Sequence, residues 1–247
     1  MKNKYLYLAS LGIFLVILIC WDSFAKEPLP SLGGIYQSFI ELLESGRLLN
    51  SIFDSLVRFF IGLLLGSFFA TLLGLLLGRF QKIQIILEPF IQVLRPISPI
   101  AWLPLIALWF GIGEVGAIFV ICYAVFFPML LSTINGVRQI HPDLIAMAKN
   151  FQASEWLIFR KIILPGAFLH ISSGLKLVAS IAWIHLVAGE MLGIQSGLGY
   201  LIIDGRNLLR MDIVIIAMIL IGILGFFITL LFNAIEKLIH KKLGGCK

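Results

Sequence analysis

Phe59-Phe-Ile-Gly62-Leu-Leu-Leu-Gly66-Ser-Phe-Phe-Ala70-Thr-Leu-Leu-Gly74-Leu-Leu-Leu77 contains no charged residue and no proline. A helix of that length reaches across most of the hydrocarbon of a bilayer. Gly62, Gly66, Ala70, Gly74 and then Gly78 recur every four residues. That spacing puts small residues in a stripe along one helix face, where a second helix backbone can approach closely. Lipid satisfies no backbone hydrogen bond, so a spanning segment is a helix or part of a closed barrel. A barrel would show short alternating strands, and this run does not alternate.

The same pattern extends outward from this run. The chain has 247 residues, 60% of them apolar and only 13% charged. Its mean hydropathy is +1.04. Soluble domains are nearer half apolar and a quarter charged, so the composition excludes a soluble enzyme and a disordered chain. The predicted fold class is all-α, a polytopic membrane bundle forming one transmembrane domain over 1–247. Six spans are expected, at Tyr5–Trp21, Phe59–Leu77, Ile85–Phe110, Ala117–Ile134, Phe168–Ala188 and Ile213–Ala234. Lys2 and Lys4 before the first run also suit a signal peptide. No small-x-small cleavage site follows, so that run reads as a retained helix.

The net charge of +6 reads as topology rather than nucleic-acid binding. With the N-terminus inside, the inner segments hold Lys2, Lys4, Arg79, Lys82, Arg138, Lys149, Arg160, Lys161, Lys237, Lys241, Lys242 and Lys247. The outer ones hold Lys26, Arg47, Arg206 and Arg210. That asymmetry predicts both termini in the cytoplasm. Arg58, Arg95 and Lys176 lie in or near spans and do not enter the comparison.

Catalytic signatures are absent from the sequence. It contains no G-x-x-x-x-G-K-[ST] phosphate loop, no H-E-x-x-H, no C-x-x-C and no G-x-S-x-G. His141, His170, His185 and His240 are scattered, as are Cys20, Cys122 and Cys246. The chain is therefore expected to be no enzyme, with no metal site and no cofactor of its own.

Two stretches outside the spans carry pattern. Asp22 to about Leu56 is read as an outer interfacial segment. In it Ser31 is a candidate N-cap, Ile35, Phe39, Leu42 and Leu43 form an apolar face, and Gly46 is the break. The inner stretch 136–165 contains Asp143-Leu-Ile-Ala146-Met-Ala-Lys-Asn-Phe-Gln152-Ala-Ser-Glu-Trp156-Leu-Ile-Phe-Arg-Lys-Ile-Ile-Leu-Pro165. A helix starting at Pro142 or Asp143 is predicted, with Leu144, Met147, Ala148 and Phe151 on one face. A turn follows at Gln152–Ser154, and a second helix carries Trp156, Phe159, Ile162 and Ile163. Pro165 is expected to end it. An apolar helix face shown to water calls for a partner groove, although both helices would also suit the membrane surface.

This stretch resembles the EAA loop of ABC transporter permeases, whose pattern is E-A-A-x3-G followed nine residues later by I-x-L-P. The matching residues are Ala146-Met147-Ala148, Gln152 and Ile162-Ile163-Leu164-Pro165. Leu94-Arg95-Pro96-Ile97, Leu108-Trp109-Phe110-Gly111-Ile112-Gly113-Glu114 and Gly189-Glu190-Met191-Leu192-Gly193 are similar to the nitrate/sulfonate/taurine/bicarbonate branch. The resemblance implies a type I importer-like permease with a second permease chain, most simply a homodimer. It implies two separate ATPase subunits that carry ATP and Mg, and a periplasmic or lipoprotein solute-binding protein. The location it implies is a bacterial cytoplasmic (inner) membrane. It also implies that Ala146, Met147, Ala148, Gln152, Ala153, Ser154, Glu155 and Trp156, with Pro165, form the ATPase-coupling loop. The family's glutamate is Ala146 here and its turn glycine is Gln152; Glu155 is the nearby acid that could replace the former. A secondary transporter and a structural membrane subunit are the rival readings; dependence on ATP separates the first, and a stoichiometrically bound chain with a phosphate loop separates both.

An ionisable group within a span is a candidate for the transport path. Arg95 precedes Pro96 and Pro99, which should kink or break the third span. It could face a cavity for an anion, neutralise Glu88 or snorkel to a headgroup. Lys176 reads as a snorkelling residue. Trp183 and His185 could line the path or pack. Glu190, before the glycine-rich 193–199, could gate or brace its mouth. The resemblance implies a small oxyanion as solute.

Overall fold

A computed structural model describes residues 30–111 and 113–243, and every regular element among them is helical. The span expected at 5–21 lies outside the described residues. The helices are α1 Leu32–Glu44, α2 Arg47–Arg79, α3 Gln81–Leu94, α4 Leu103–Phe110, α5 Glu114–Arg138, α6 Pro142–Asn150, α7 Glu155–Ile158, α8 Leu164–Gly193, α9 Leu198–Asn207 and α10 Met211–Leu243.

Among the described residues, four helical runs are long and apolar enough to cross a membrane: α2, α5, α7 with α8, and α10. A fifth crossing exists only if α3 and the Pro99–Phe110 pair are taken together across an 84° bend. The expectation of a single third span at 85–110 is therefore corrected to two half-length pieces. Pro96 cannot donate to the α3 ladder, and Pro99 starts a 3₁₀ turn, Pro99–Trp102, in the new direction. The Leu94 carbonyl left at the end of α3 accepts the Tyr123 hydroxyl at 2.6 Å.

α5 is the central helix, packed between α2 and α8. The small-residue stripe of α2 makes the first contact possible. A Cβ at Gly62 would lie 2.7 Å from Ile121 Cβ, and one at Gly78 would lie 2.6 Å from Val137 Cβ. On the other face of α5, a Cβ at Gly136 would sit 2.6 Å from His170 Cβ. The Ser132 hydroxyl donates to His170 O at 3.0 Å. Close backbones give van der Waals contact that lipid tails cannot replace. α10 covers α8 and α9, with Gly225 beneath the Trp183 indole.

α1 starts as its sequence predicts. Ser31 Oγ accepts from Gly34 N at 3.2 Å, and Gly46 turns the chain at φ 70°. α2 then begins at Arg47, twelve residues before the expected span. Leu48, Ser51, Ser55 and Arg58 are all buried and continue the stripe of Gly62 and Gly66. Arg47–Leu56 is thus part of the spanning helix rather than an interfacial segment. Arg210 ties α1 to the start of α10, with 2.7 Å to Glu41 and 2.9 Å to Asp212. Its guanidinium holds the Glu41 carboxyl below the usual range. Lys176, expected to snorkel, instead pairs with Glu236 on α10 at 3.0 Å.

Pro165 does not end an element. α7 runs through a π turn, Phe159–Ile163, directly into α8. Leu164 N donates to Phe159 O, five residues back, and Pro165 falls in the first turn of α8, so a helix continues where a stop was expected.

Candidate functional site

Two regions at opposite ends of the bundle, and one between them, collect the charged and exposed groups. At the first end, α6 and α7 form the loop predicted from 143–165. α6 has no buried residue. Leu144, Met147 and Phe151 are exposed, Phe151 by 83%. Ala146 is exposed, whereas Ala148 and Ala153 pack against a small core of Leu75, Val137, Ile158, Ile163 and Ala167. Trp156 is 68% exposed and stacks on Phe159 at 5.8 Å. α7 is therefore rooted in the bundle through Ile158, whereas α6 only rests on it through Ile145 and Ala148 and leaves Leu144 and Met147 exposed.

The turn between them has the conformation that its missing glycine would favour. Gln152 sits at φ 53°, and Ala153 N donates back to Ala148 O at 3.0 Å. Ser154 then caps α7 by accepting from Leu157 N at 3.3 Å. A left-handed non-glycine residue costs about 1 kcal/mol. Gln152→Gly is expected to raise stability by up to about 1 kcal/mol, since glycine adopts this conformation freely. Thermal unfolding of the purified variants reads this out, and an unchanged or lower midpoint would contradict it. Glu155 is tied within the chain, 2.5 Å from Arg79 at the end of α2 and 3.2 Å from Lys149 on α6. Pro165 is exposed at the second residue of α8.

The middle region lies at the α3–α4 bend. A cavity there is lined by Arg95, Ile97, Pro99, Tyr123, Phe127 and His185. Arg95 caps α3 and is exposed, as is Pro96, with Pro99 across the turn. Glu88 accepts from Gln84 and Gln92, both at 3.2 Å. No carboxylate among the described residues pairs with Arg95, so the neutralisation by Glu88 is not found. His185 Nδ1 lies 2.9 Å from Ile181 O. A carbonyl only accepts, which puts a proton on Nδ1 and leaves Nε2 for other partners. Trp183, by contrast, is turned into the bundle. It donates to Ile221 O at 3.0 Å and meets the Phe59 ring edge-on at 5.6 Å.

At the far end, Glu190 is 1% exposed and belongs to a network that sequence reading missed. Arg58, 2% exposed, gives Nη1 to Glu190 Oε1 at 2.8 Å and to Ser196 O at 3.1 Å. Its Nε and Nη2 reach both oxygens of Glu114 at 2.5 Å, and Nη2 also contacts Ser196 Oγ. All five guanidinium donors are thereby used. Ser55 donates to Glu190 at 2.8 Å, and Gly199 N donates to its other oxygen at 2.9 Å. Gly197, at φ 99°, leaves no room for a side chain: a Cβ would fall 2.3 Å from Glu190 Oε1. The network joins α2, α5, α8 and the 196–199 segment. Its sequence signal was a lone arginine in an apolar helix, three residues after Ser55.

Residues 62–245 match the family described as binding-protein-dependent transport system inner membrane component. A Methanocaldococcus jannaschii protein provisionally named as an ABC transporter permease is 41% identical over 76% of this chain and 70% of its own. The taurine transport system permease protein of Escherichia coli is 33% identical over 74% of this chain and 66% of its own. The nitrate import permease protein of Synechocystis is 32% identical over 76% and 68%. Among solved structures, the inward-facing MetNI methionine ABC transporter superposes with a TM-score of 0.70 at 18% identity. It covers 79% of this chain and 97% of the matched one, and carries the fold alone.

Proposed function

The chain belongs to the binding-protein-dependent transport system inner membrane component family, and from that premise we propose how its three regions divide the work. As a permease subunit of an ABC importer it is a multi-pass inner-membrane transport subunit, not an enzyme, and works with a separate ATPase and a binding protein.

The α6–α7 end faces the cytoplasm and docks the ATPase. The observation that carries this reading is α6 itself, a helix with no buried residue, two exposed large apolar side chains, Leu144 and Met147, and a third, Phe151, exposed at its C-cap. Such a face is suited to a partner groove. With this end inside, the end of α10 is cytoplasmic and the Arg58–Glu190 network faces outward; the span expected at 5–21 would bring the N-terminus to the cytoplasm as well. Two copies of the chain enclose the path, each docking one ATPase through Ala146–Trp156. Specificity for the solute is shared with the binding protein.

The solute is a small oxyanion, of the kind named for the taurine and nitrate relatives. Arg95 supplies the positive potential: it is exposed beside the cavity at the bend and lacks a carboxylate partner among the described residues. A charge-assisted contact of this kind contributes roughly 1.5–3 kcal/mol. Arg95→Ala is therefore expected to slow uptake of taurine or nitrate by about tenfold or more. The assay is uptake into proteoliposomes containing the permease, its ATPase and its binding protein. Uptake at the wild-type rate with equal protein present would remove Arg95 from the path.

A further inference from the structure

We propose that Arg58 is an oxyanion-binding group at the outer mouth, and that the Glu114 carboxylate occupies it as an internal stand-in until an incoming anion displaces it. The inference rests on the reading of the solute as an oxyanion.

The two carboxylates on Arg58 are not equivalent. Glu190 has 0% side-chain exposure and is held by Ser55 and Gly199 N as well as by Arg58. Glu114 is 59% exposed, and Arg58 is its one hydrogen-bond partner among the described residues. It is the first residue of α5, entered through Gly111 and Gly113, and a Cβ at either would meet nothing within 4 Å. Glu190 is thus the fixed counter-ion and Glu114 the arm with room to move. Gly113 and Gly189, the residues immediately before the two carboxylates, both line an apolar cavity of about 320 Å³ beneath α4. The cavity thus comes within one residue of each carboxylate along the chain, although neither carboxylate nor Arg58 lines it.

The energetics favour exchange over simple release. A buried cation stripped of a partner is strongly disfavoured. Replacing one carboxylate by another monoanionic oxygen pair leaves the charge count around Arg58 unchanged and refills the same two donors. A neutral or cationic molecule cannot make that exchange. Anion recognition and release of the α5 start are then one event. A lipid phosphate presents the same chemistry, so the two sources must be separated.

The experiment titrates the purified full chain, with any ATPase that stays bound, in a maltoside detergent. Thermal stability is followed against methanesulfonate, with uncharged dimethyl sulfone in parallel. Glu114→Gln removes the competing charge and keeps the side-chain shape. The variant should half-saturate with methanesulfonate at a concentration about tenfold below wild type, with no response to the sulfone. Arg58→Lys in the Glu114→Gln background should abolish the gain, because lysine lacks the two-pronged donor. If Glu114→Gln does not fold, Glu114→Ala takes its place with the same expectation. Equal half-saturation in variant and wild type, or a gain that survives Arg58→Lys, would overturn the proposal. A response to phosphatidylglycerol with none to methanesulfonate would overturn it in favour of a lipid headgroup. Arg95→Ala should leave the Glu114→Gln response intact while slowing transport, so the two readings fail separately.

Discussion

Arg58→Met leaves the Glu190 carboxylate buried without a cation and is expected to destabilise the folded protein by roughly 3–5 kcal/mol. The reason is the environment of Glu190: none of its side chain reaches solvent, and its remaining contacts would be Ser55 and the Gly199 amide. Glu114 would suffer little, because it is already largely exposed. The double variant Arg58→Met with Glu190→Gln removes both buried charges and should recover much of the loss. Unfolding in detergent, followed for the two single variants and the double, measures this directly. Equal losses in the single and double variants would mean that packing around the substituted side chain, and not the unpaired charge, sets the effect.

A second large effect is expected at the α2–α5 contact. A Cβ at Gly74 would lie 2.6 Å from Thr133 Cβ and 3.0 Å from Leu130 O. Gly74→Leu must push the two helices apart along their whole seam, since Gly62, Gly66 and Gly78 share it. Overpacking of this kind costs roughly 1–3 kcal/mol in a soluble core and more where backbone is struck. Loss of monodisperse protein on size-exclusion chromatography is the expected result. Gly222→Leu is the comparison, because a side chain there meets nothing within 4 Å. It should behave as wild type, and similar behaviour of the two variants would show that the stripe does not hold the bundle.

What the sequence revealed and what it hid follow from the range of the interactions involved. The glycine stripe, the Ser31 cap and the left-handed turn at Gln152 are set by residues within a few positions of one another. Periodicity and turn chemistry reach that far. The start of α2 did not show, because Ser51, Ser55 and Arg58 look like interface residues until their partners are known. The partners of Ser55 and Arg58, which are Glu114, Glu190, Ser196 and Leu198, are 56 to 143 positions away. The Pro96–Pro99 pair announced a break but not its 84° size, which depends on how the Pro99–Phe110 piece packs on α5. Pro165 misled for the opposite reason: a proline rule applies to a regular α-helix, and a π turn precedes it. Of the candidate path residues, Arg95 and His185 meet at one cavity, whereas Trp183 and Glu190 are committed to packing and to the Arg58 network.

The division of labour proposed for the three regions depends on α6 and α7 receiving an ATPase at the cytoplasmic face. Purification of the tagged chain from its native membrane in mild detergent, after cross-linking in place, tests this when the bound proteins are quantified by mass spectrometry. The expected result is an ATPase carrying the G-x-x-x-x-G-K-[ST] loop, equimolar with the permease and cross-linked to residues of 142–158. A permease recovered without any such ATPase after cross-linking in intact membranes would contradict it.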